Sequence, residues 1–219
     1  MQNFIRNLFI SLFLFIFTLT NYNVILSQDN NIKMDILNLK SPDKFKAKFE
    51  TTVGNFEVTA ERKFSPLAVD RLYQLIKSKY FTDIPLYRVI DNFVVQFGTV
   101  DGGLDSAWSK YILLDEPVLK SNEAATIAFA RGGKNSRGTQ LFINLKNNFK
   151  LDTVTYGETL GFPAFAYVSS GMDVVYKFYK GYGDAPRLIL DSVSNNVKEF
   201  IKNKYPNLDY IKQAYIIKE

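Results

Sequence analysis

Four segments near the middle of the chain carry the side chains best suited to chemistry. They are residues 84–90 (IPLYRVI), 92–98 (NFVVQFG), 126–132 (TIAFARG) and 135–143 (NSRGTQLFI). Each segment places an arginine or a glutamine close to aromatic or aliphatic residues. Guanidinium and amide groups beside apolar surfaces can hold a polypeptide and stabilise a shifting charge without breaking a covalent bond.

The composition excludes several classes of enzyme. The chain of 219 residues contains no Cys and no His. A Ser-His-Asp triad, a thiol nucleophile, a disulfide and a Cys/His zinc site are therefore impossible, and we expect neither a cofactor nor a metal ion. The net charge of +5 is mild and does not indicate a nucleic-acid partner. Residues 131–138 (RGGKNSRG) are basic and rich in Gly, but they lack the residue order of a phosphate-binding loop, so we interpret them as a turn.

The order, spacing and content of the four segments resemble those of the cyclophilin family, in a form like its exported bacterial members. Residues 138–143 (GTQLFI) carry the most specific part of the resemblance, because they combine a turn glycine, an amide and an apolar strand. The similarity extends from about Phe45 to about Ile189. It implies a peptidyl-prolyl cis/trans isomerase that acts on proline-containing polypeptides without a cofactor.

The resemblance also implies roles for ten residues. Arg88 matches the catalytic arginine of the family, and Gln96, counted with it as catalytic, matches an amide that holds the substrate backbone. The substrate-binding positions are Phe93, Val94, Ala130, Arg131, Gln140, Phe142, Leu151 and Phe162. Two departures from the family pattern are Tyr87, where His is usual, and Arg131, where Asn is usual.

Physical chemistry supports these residue types independently of the family name. Rotation about an X-Pro bond meets a barrier of about 18–20 kcal/mol because of amide resonance. In the twisted amide the nitrogen regains its lone pair, and the Arg88 guanidinium could donate a hydrogen bond to it or to the adjacent carbonyl. The alternative is a cyclophilin-like chaperone or scaffold that holds proline segments with little catalysis. Arg88 favours the enzyme, whereas the missing His and the altered residues after Gln96 favour the binding module.

The first 27 residues are typical of a secretory signal peptide. Arg6 precedes the apolar residues 8–19 (LFISLFLFIFTL), a run too short for a spanning helix, which needs about 20 residues. We expect cleavage after Ser27, although an uncleaved anchor remains the alternative. The predicted organisation is a signal peptide (1–27), a polar linker (28–43) and an isomerase domain (44–219). We expect an exported monomer, periplasmic or secreted, without stable membrane insertion after cleavage.

The residue pattern of the domain indicates a mainly β fold. Alternating apolar residues in 45–58 predict a hairpin with its turn at 51–55. Ser65 followed by Pro66 predicts a helix that runs to about residue 77–80, with Ser65 as its N-cap. The other expected elements are strands at 86–90, 94–96, 125–130, 140–144 and 164–168, helices at 172–179 and 192–204, and a final strand at 211–217. Together they predict a closed eight-stranded antiparallel barrel of cyclophilin type, capped by two helices, with an extra C-terminal helix before the last strand.

Overall fold

A curled antiparallel sheet dominates the domain. The computed structural model describes residues 32–99, 107–190 and 197–219. Its strands are β1 (Lys44–Thr51), β2 (Asn55–Glu61), β3 (Ile84–Pro85), β4 (Arg88–Ile90), β5 (Val94–Phe97), β6 (Thr126–Phe129), β7 (Leu141–Asn144), β8 (Thr155–Tyr156), β9 (Thr159–Leu160), β10 (Ala164–Ser170) and β11 (Tyr210–Lys218). Nine of them form one sheet in the order β3-β11-β1-β2-β10-β6-β7-β5-β4, and β8 and β9 form a separate pair.

The sheet is an open half-barrel, so the prediction of a closed eight-stranded barrel is wrong in both strand number and closure. Strands β3 and β4 lie at the two ends of the strand order. The sequence suggests one strand over 86–90, but the chain changes partners there. Ile84 and Pro85 pair with β11, whereas Arg88 begins the pairing with β5. Leu86 and Tyr87 connect the two short strands, and neither residue belongs to a strand.

The hairpin of β1 and β2, inside the sheet, forms because its apolar residues alternate. Three residues of β1 pair with three of β2, and all six are buried: Phe45 with Ala60, Ala47 with Val58, and Phe49 with Phe56. The rings of Phe49 and Phe56 stack with their centroids 5.0 Å apart. The period of two therefore places one face of each strand in the core, as the sequence predicts.

Helices accompany the sheet, and residues 107–109 are also helical. The helices with defined bounds are α1 (Met34–Leu37), α2 (Pro66–Lys77), α3 (Lys150–Thr153), α4 (Met172–Val175), α5 (Ala185–Leu190) and α6 (Val197–Lys204). The helix predicted for 172–179 ends at Val175, and the one predicted for 192–204 is described only from Val197. None of these helices is long and apolar enough to cross a membrane.

The N-terminus of α2 is capped by a residue distant in the sequence. Ser65 occupies the N-cap position, as predicted, but its side chain does not cap the helix. Instead, the Glu116 carboxylate accepts hydrogen bonds from the backbone N–H groups of Leu67 at 2.9 Å and Ala68 at 3.2 Å. The Ser65 hydroxyl also donates to Glu116. A negative charge therefore faces the positive end of the helix dipole.

Part of the segment expected to be a linker packs against the domain. Residues 28–31 and the predicted signal peptide lie outside the described residues. From Ile32 onward, Ile36 and Leu37 contact the main hydrophobic core. The Gln74 amide donates to the carbonyl oxygens of Leu37 at 2.9 Å and Leu39 at 3.0 Å. These contacts hold residues 32–39 against α2.

Candidate active site

Three neighbouring strands bring the predicted catalytic residues together. Arg88 on β4 pairs with Gln96 on β5, and Gln96 pairs with Phe142 on β7. Phe142 in turn pairs with Ala128 on β6. A guanidinium, an amide and an aromatic ring from separate segments therefore lie side by side across the sheet.

A pocket of about 360 Å³ opens beside these strands. Its walls contain nine of the ten residues that the sequence singles out: Arg88, Phe93, Val94, Gln96, Ala130, Arg131, Phe142, Leu151 and Phe162. The apolar part of the pocket wall packs on a buried cluster of Val94, Ala128 and Phe142. The rings of Phe142 and Phe162 meet edge to face at 5.9 Å between centroids. The pocket thus offers an apolar, aromatic surface with Arg88 at its edge.

The tenth residue, Gln140, lies in an adjoining pocket and joins a chain of hydrogen bonds that ends at Arg88. Arg88 Nη1 donates to Gln96 Oε1 at 3.3 Å, and Gln96 Nε2 donates to Gln140 Oε1 at 3.2 Å. The hydroxyl of the buried Tyr87 donates to the same Gln140 oxygen at 2.8 Å. An arginine can only donate, so the chain fixes which end of each amide is the oxygen. Tyr87, which stands where the family usually has His, therefore orients Gln140.

A carboxylate holds Arg88 from the other side. Arg88 Nε donates to Asp184 Oδ1, and the guanidinium lies 5.5 Å from the centre of the Phe93 ring. The hydrogen bond from Arg88 is the main cause that lowers the pKa of Asp184, so the carboxylate stays ionised. Arg187 Nε lies 3.5 Å from the same oxygen. Asp184 and Gln96 together fix two nitrogen atoms of the Arg88 guanidinium.

Sequence reasoning missed Asp184 and Arg187, although a signal was present. Asp184, Ala185 and Pro186 form a typical helix start, with an acidic residue followed closely by proline. The structure places α5 there, and the helix brings Arg187 to the pocket wall. Val154 and Tyr156, also in the wall, were missed because the short pair β8–β9 has no recognisable period.

Gly98 keeps the two glutamine-bearing segments close together. Its φ is +102°, which favours glycine, and a Cβ atom there would lie 2.3 Å from the carbonyl oxygen of Thr139. The Tyr80 hydroxyl donates to the Gly98 carbonyl at 2.8 Å. A larger residue would push the chain after Gln96 away from the segment that carries Gln140.

Comparison with known protein families settles the classification. A family model described as "Cyclophilin type peptidyl-prolyl cis-trans isomerase/CLD" matches residues 46–198, more than half of the chain. The chain belongs to the cyclophilin family. The family resemblance seen in the sequence is thereby confirmed, and the domain is a cyclophilin-type peptidyl-prolyl isomerase domain.

Two of the relatives are fungal isomerases of different lengths. "Peptidyl-prolyl cis-trans isomerase-like 1" of Aspergillus fumigatus is 30% identical over 133 residues, which cover 59% of this chain and 78% of that protein. "Peptidyl-prolyl cis-trans isomerase-like 2" of Aspergillus oryzae is 33% identical over 101 residues, or 44% of this chain and 18% of that protein. The chain thus matches less than a fifth of this longer relative. These eukaryotic relatives give no support to the bacterial-like, exported subtype.

Solved structures confirm the cyclophilin fold. A cyclophilin-type isomerase of Cryptosporidium parvum matches with a TM-score of 0.55 and 18% identity, covering 80% of this chain and 99% of that one. A second structure of that protein, with the same values, was determined in the presence of the dipeptide Ala-Pro. The mainly β, antiparallel architecture with accompanying helices is therefore as predicted, apart from the open edge and the number of strands.

Proposed function

We propose that this protein catalyses the cis/trans isomerisation of X-Pro bonds in polypeptides without a cofactor. The position of Arg88 carries the proposal: its guanidinium lies at the edge of an aromatic pocket and is held there by Asp184 and Gln96. A pocket lined by Phe93 and Phe142 suits the apolar ring of proline.

The reaction requires no bond to break, so binding and electrostatics are sufficient. The proline ring enters the aromatic pocket, and the amide that precedes it lies within reach of Arg88. As the amide twists, its nitrogen regains a lone pair, and the guanidinium donates to this nitrogen or to the neighbouring carbonyl. Because Asp184 and Gln96 already orient Arg88, the donor needs little reorganisation when the charge shifts. The Gln140 oxygen is held by Tyr87 and Gln96, and the amide nitrogen of Gln140, which has no partner among the described residues, can donate to the peptide backbone.

A second candidate function is a proline-segment chaperone or scaffold with little catalysis. The ion pair between Arg88 and Asp184 favours it, because a carboxylate beside the guanidinium reduces the positive charge available to the substrate. A protease-coupled assay with an X-Pro peptide separates the two functions. Faster isomerisation with the wild-type protein than without it supports the enzyme, whereas peptide binding without acceleration supports the chaperone.

We expect kcat/KM for an uncharged X-Pro peptide to be nearly constant between pH 6 and 8. Among the described residues, every shifted carboxyl pKa is lowered: those of Glu50, Glu61, Asp184 and Glu219. Every shifted tyrosine pKa there is raised: those of Tyr73, Tyr210 and Tyr215. Burial lowers the pKa of Arg71 only to about 10. The chain also lacks His, the side chain that usually titrates in this range.

The direction in which the pKa of Asp184 is shifted determines the pH range in which the activity should fall. Its pKa is depressed in the folded protein, so its hold on Arg88 is complete above the ordinary carboxylate pKa and is lost only as the pH drops through the depressed value. The measurement is kcat/KM against pH at constant ionic strength. A bell-shaped profile centred between pH 6 and 8 would show that a general acid or base takes part and would contradict the electrostatic mechanism.

We also propose that the substrates are exported proteins and that the activity assists their folding. The support is Arg6 followed by the apolar residues 8–19. We expect the mature protein to begin near Gln28 and to be found outside the cytoplasm. N-terminal sequencing of the protein from its native cells tests this, and a mature chain that starts at Met1 or Gln2 in the cytoplasm would exclude export.

A further inference from the structure

A second pocket of about 420 Å³ adjoins the proline pocket. The two pockets share five wall residues: Gln96, Ala130, Arg131, Tyr156 and Arg187. Most of the other side chains that line the second pocket are polar, and two glycines and one leucine complete its wall: Ser109, Ser136, Thr139 and Gln140, with Gly132, Gly138 and Leu190. A polypeptide whose proline occupies the first pocket can therefore extend a neighbouring side chain into the second.

Arg131, in the wall common to both pockets, is a buried cation with unused hydrogen-bond donors. Its residue surface is only 8% exposed, and its guanidinium lies 4.5 Å from the centre of the Phe162 ring. Nη2 donates to the Thr159 carbonyl at 2.8 Å. Nε and Nη1, however, have no hydrogen-bond partner among residues 32–99, 107–190 and 197–219. Buried donors without a partner are costly, and natural proteins rarely leave them so.

The surroundings of Arg131 leave much of its charge uncompensated. In the described parts of the chain it forms no salt bridge within 4.0 Å. Burial is the main cause that lowers the pKa of Arg131; Asp115 opposes this shift and Arg137 adds to it. Asp115 has other partners, because it accepts from the Thr159 hydroxyl and the Asn135 N–H, and Arg137 Nε lies 3.7 Å away.

Arg187 adds a second positive group on the opposite element. It lies on α5, lines both pockets and is paired with Asp184 only at 3.5 Å, with its side chain 44% exposed. The Arg131 guanidinium thus provides the buried part of a positive region, and Arg187 provides the exposed part. Both cations line the second pocket, which a side chain of the bound polypeptide would enter.

We propose that the second pocket is an anion subsite, which selects proline-containing polypeptides with an acidic group close to the proline. The acidic group is a carboxylate or a phosphate, since both bind guanidinium groups through the same hydrogen bonds. Phe162 contacts both the Arg131 guanidinium and the ring of Phe142. An extended chain advances about 3.3–3.6 Å per residue, so the anionic residue lies within two positions of the proline. The assignment of the proline pocket rests on the proposed function.

Peptide binding tests the subsite without any need for turnover. The test peptides have blocked ends and consist of Ala with one Pro. In each peptide one residue, at one of the two positions before or the two positions after the proline, is replaced with Glu or, as the uncharged match, with Gln. A parallel series carries phosphoserine against Ser. We expect the charged member to bind about 10-fold more tightly at one position at least, the gain typical of a charge-assisted hydrogen bond. Tightening by Glu alone assigns the pocket to carboxylates, tightening by phosphoserine alone assigns it to phosphates, and tightening by both supports a general anion subsite.

The variants Arg131→Gln and Lys212→Gln connect the effect to one residue. Each removes one positive charge, but Lys212 is exposed on β11 and lines neither pocket. The preference for the charged peptide should disappear in Arg131→Gln and persist in Lys212→Gln. Equal binding of charged and uncharged peptides by the wild type, at every position, overturns the proposal even if Arg131→Gln does not fold. A preference that survives in folded Arg131→Gln overturns it as well.

The outcome also separates this inference from the proposed function. A protein that prefers acidic peptides but does not accelerate isomerisation retains the anion subsite and loses the enzymatic function. A protein that isomerises X-Pro peptides without charge preference retains the function and loses the subsite.

Discussion

Replacing Arg88 with alanine should lower kcat/KM for an X-Pro peptide by about 10²–10³-fold, the range expected when one preorganised donor is removed. The aromatic pocket that binds the proline ring would remain, because Phe93, Phe142 and Phe162 do not depend on Arg88 for their packing on Val94 and Ala128. The loss should therefore appear in kcat, with KM changed much less. The protease-coupled assay, at several substrate concentrations, separates the two constants.

Two further variants make this prediction specific to the guanidinium. Arg88→Lys keeps the charge but cannot donate to Asp184 and Gln96 with a planar group, so little activity should return. Lys212→Ala removes an exposed positive charge outside the pocket and should leave kcat/KM unchanged. Circular dichroism should show the same fold for all three variants. Activity near that of the wild type in a folded Arg88→Ala variant would contradict the role assigned to this residue.

The short segments that carry the site were predictable because local chemistry determines them. Arg88, Gln96 and Phe142 lie on separate strands, and each segment has an apolar pattern that predicts a strand. The resemblance to cyclophilins supplied the relation between those strands, which a pattern of period two cannot give. The structure then places the three residues in register across β4, β5 and β7.

The parts that were not predicted depend on contacts between distant residues. Whether the sheet closes depends on what β3 and β4 pair with, and two-residue strands such as Ile84–Pro85 carry too little pattern to indicate a partner. Asp184 follows Arg88 by 96 positions, so only the folded chain shows that they are bonded. The helix start at Asp184–Pro186 was readable, but the side of the domain on which α5 lies was not.

The cap of α2 also depends on a residue distant in the sequence, and it affects the stability of the domain. Local sequence favours Ser65 as the capping side chain, whereas the fold uses Glu116. The side chains of Glu116 and Arg137 are only 10% and 1% exposed, and Arg137 Nη2 lies 3.1 Å from Glu116 Oε2. Glu116 thus satisfies helix N–H groups and balances a buried charge.

Glu116→Ala should therefore destabilise the domain by about 3 kcal/mol, the lower end of the usual cost of breaking a buried ion pair, because Arg137 keeps the more distant Asp115 at 3.7 Å. For a domain of this size the midpoint of thermal unfolding should fall on the order of 10 °C. Asp173→Ala is the matched control. It removes an exposed carboxylate that pairs with Lys177 at 3.4 Å, and exposed pairs contribute little. Thermal unfolding followed by circular dichroism compares the two variants.

A double-mutant cycle identifies the cause of the loss. If the buried charge of Arg137, left with only the more distant Asp115, dominates, Arg137→Met should cost much less in the Glu116→Ala background than in the wild type, because it removes the charge that Glu116 no longer balances. If the lost cap dominates, the two substitutions should be nearly additive, since Leu67 and Ala68 lose their acceptor in either background. A fall of less than about 2 °C in Glu116→Ala would contradict both explanations, because each requires the carboxylate to hold a buried partner in place.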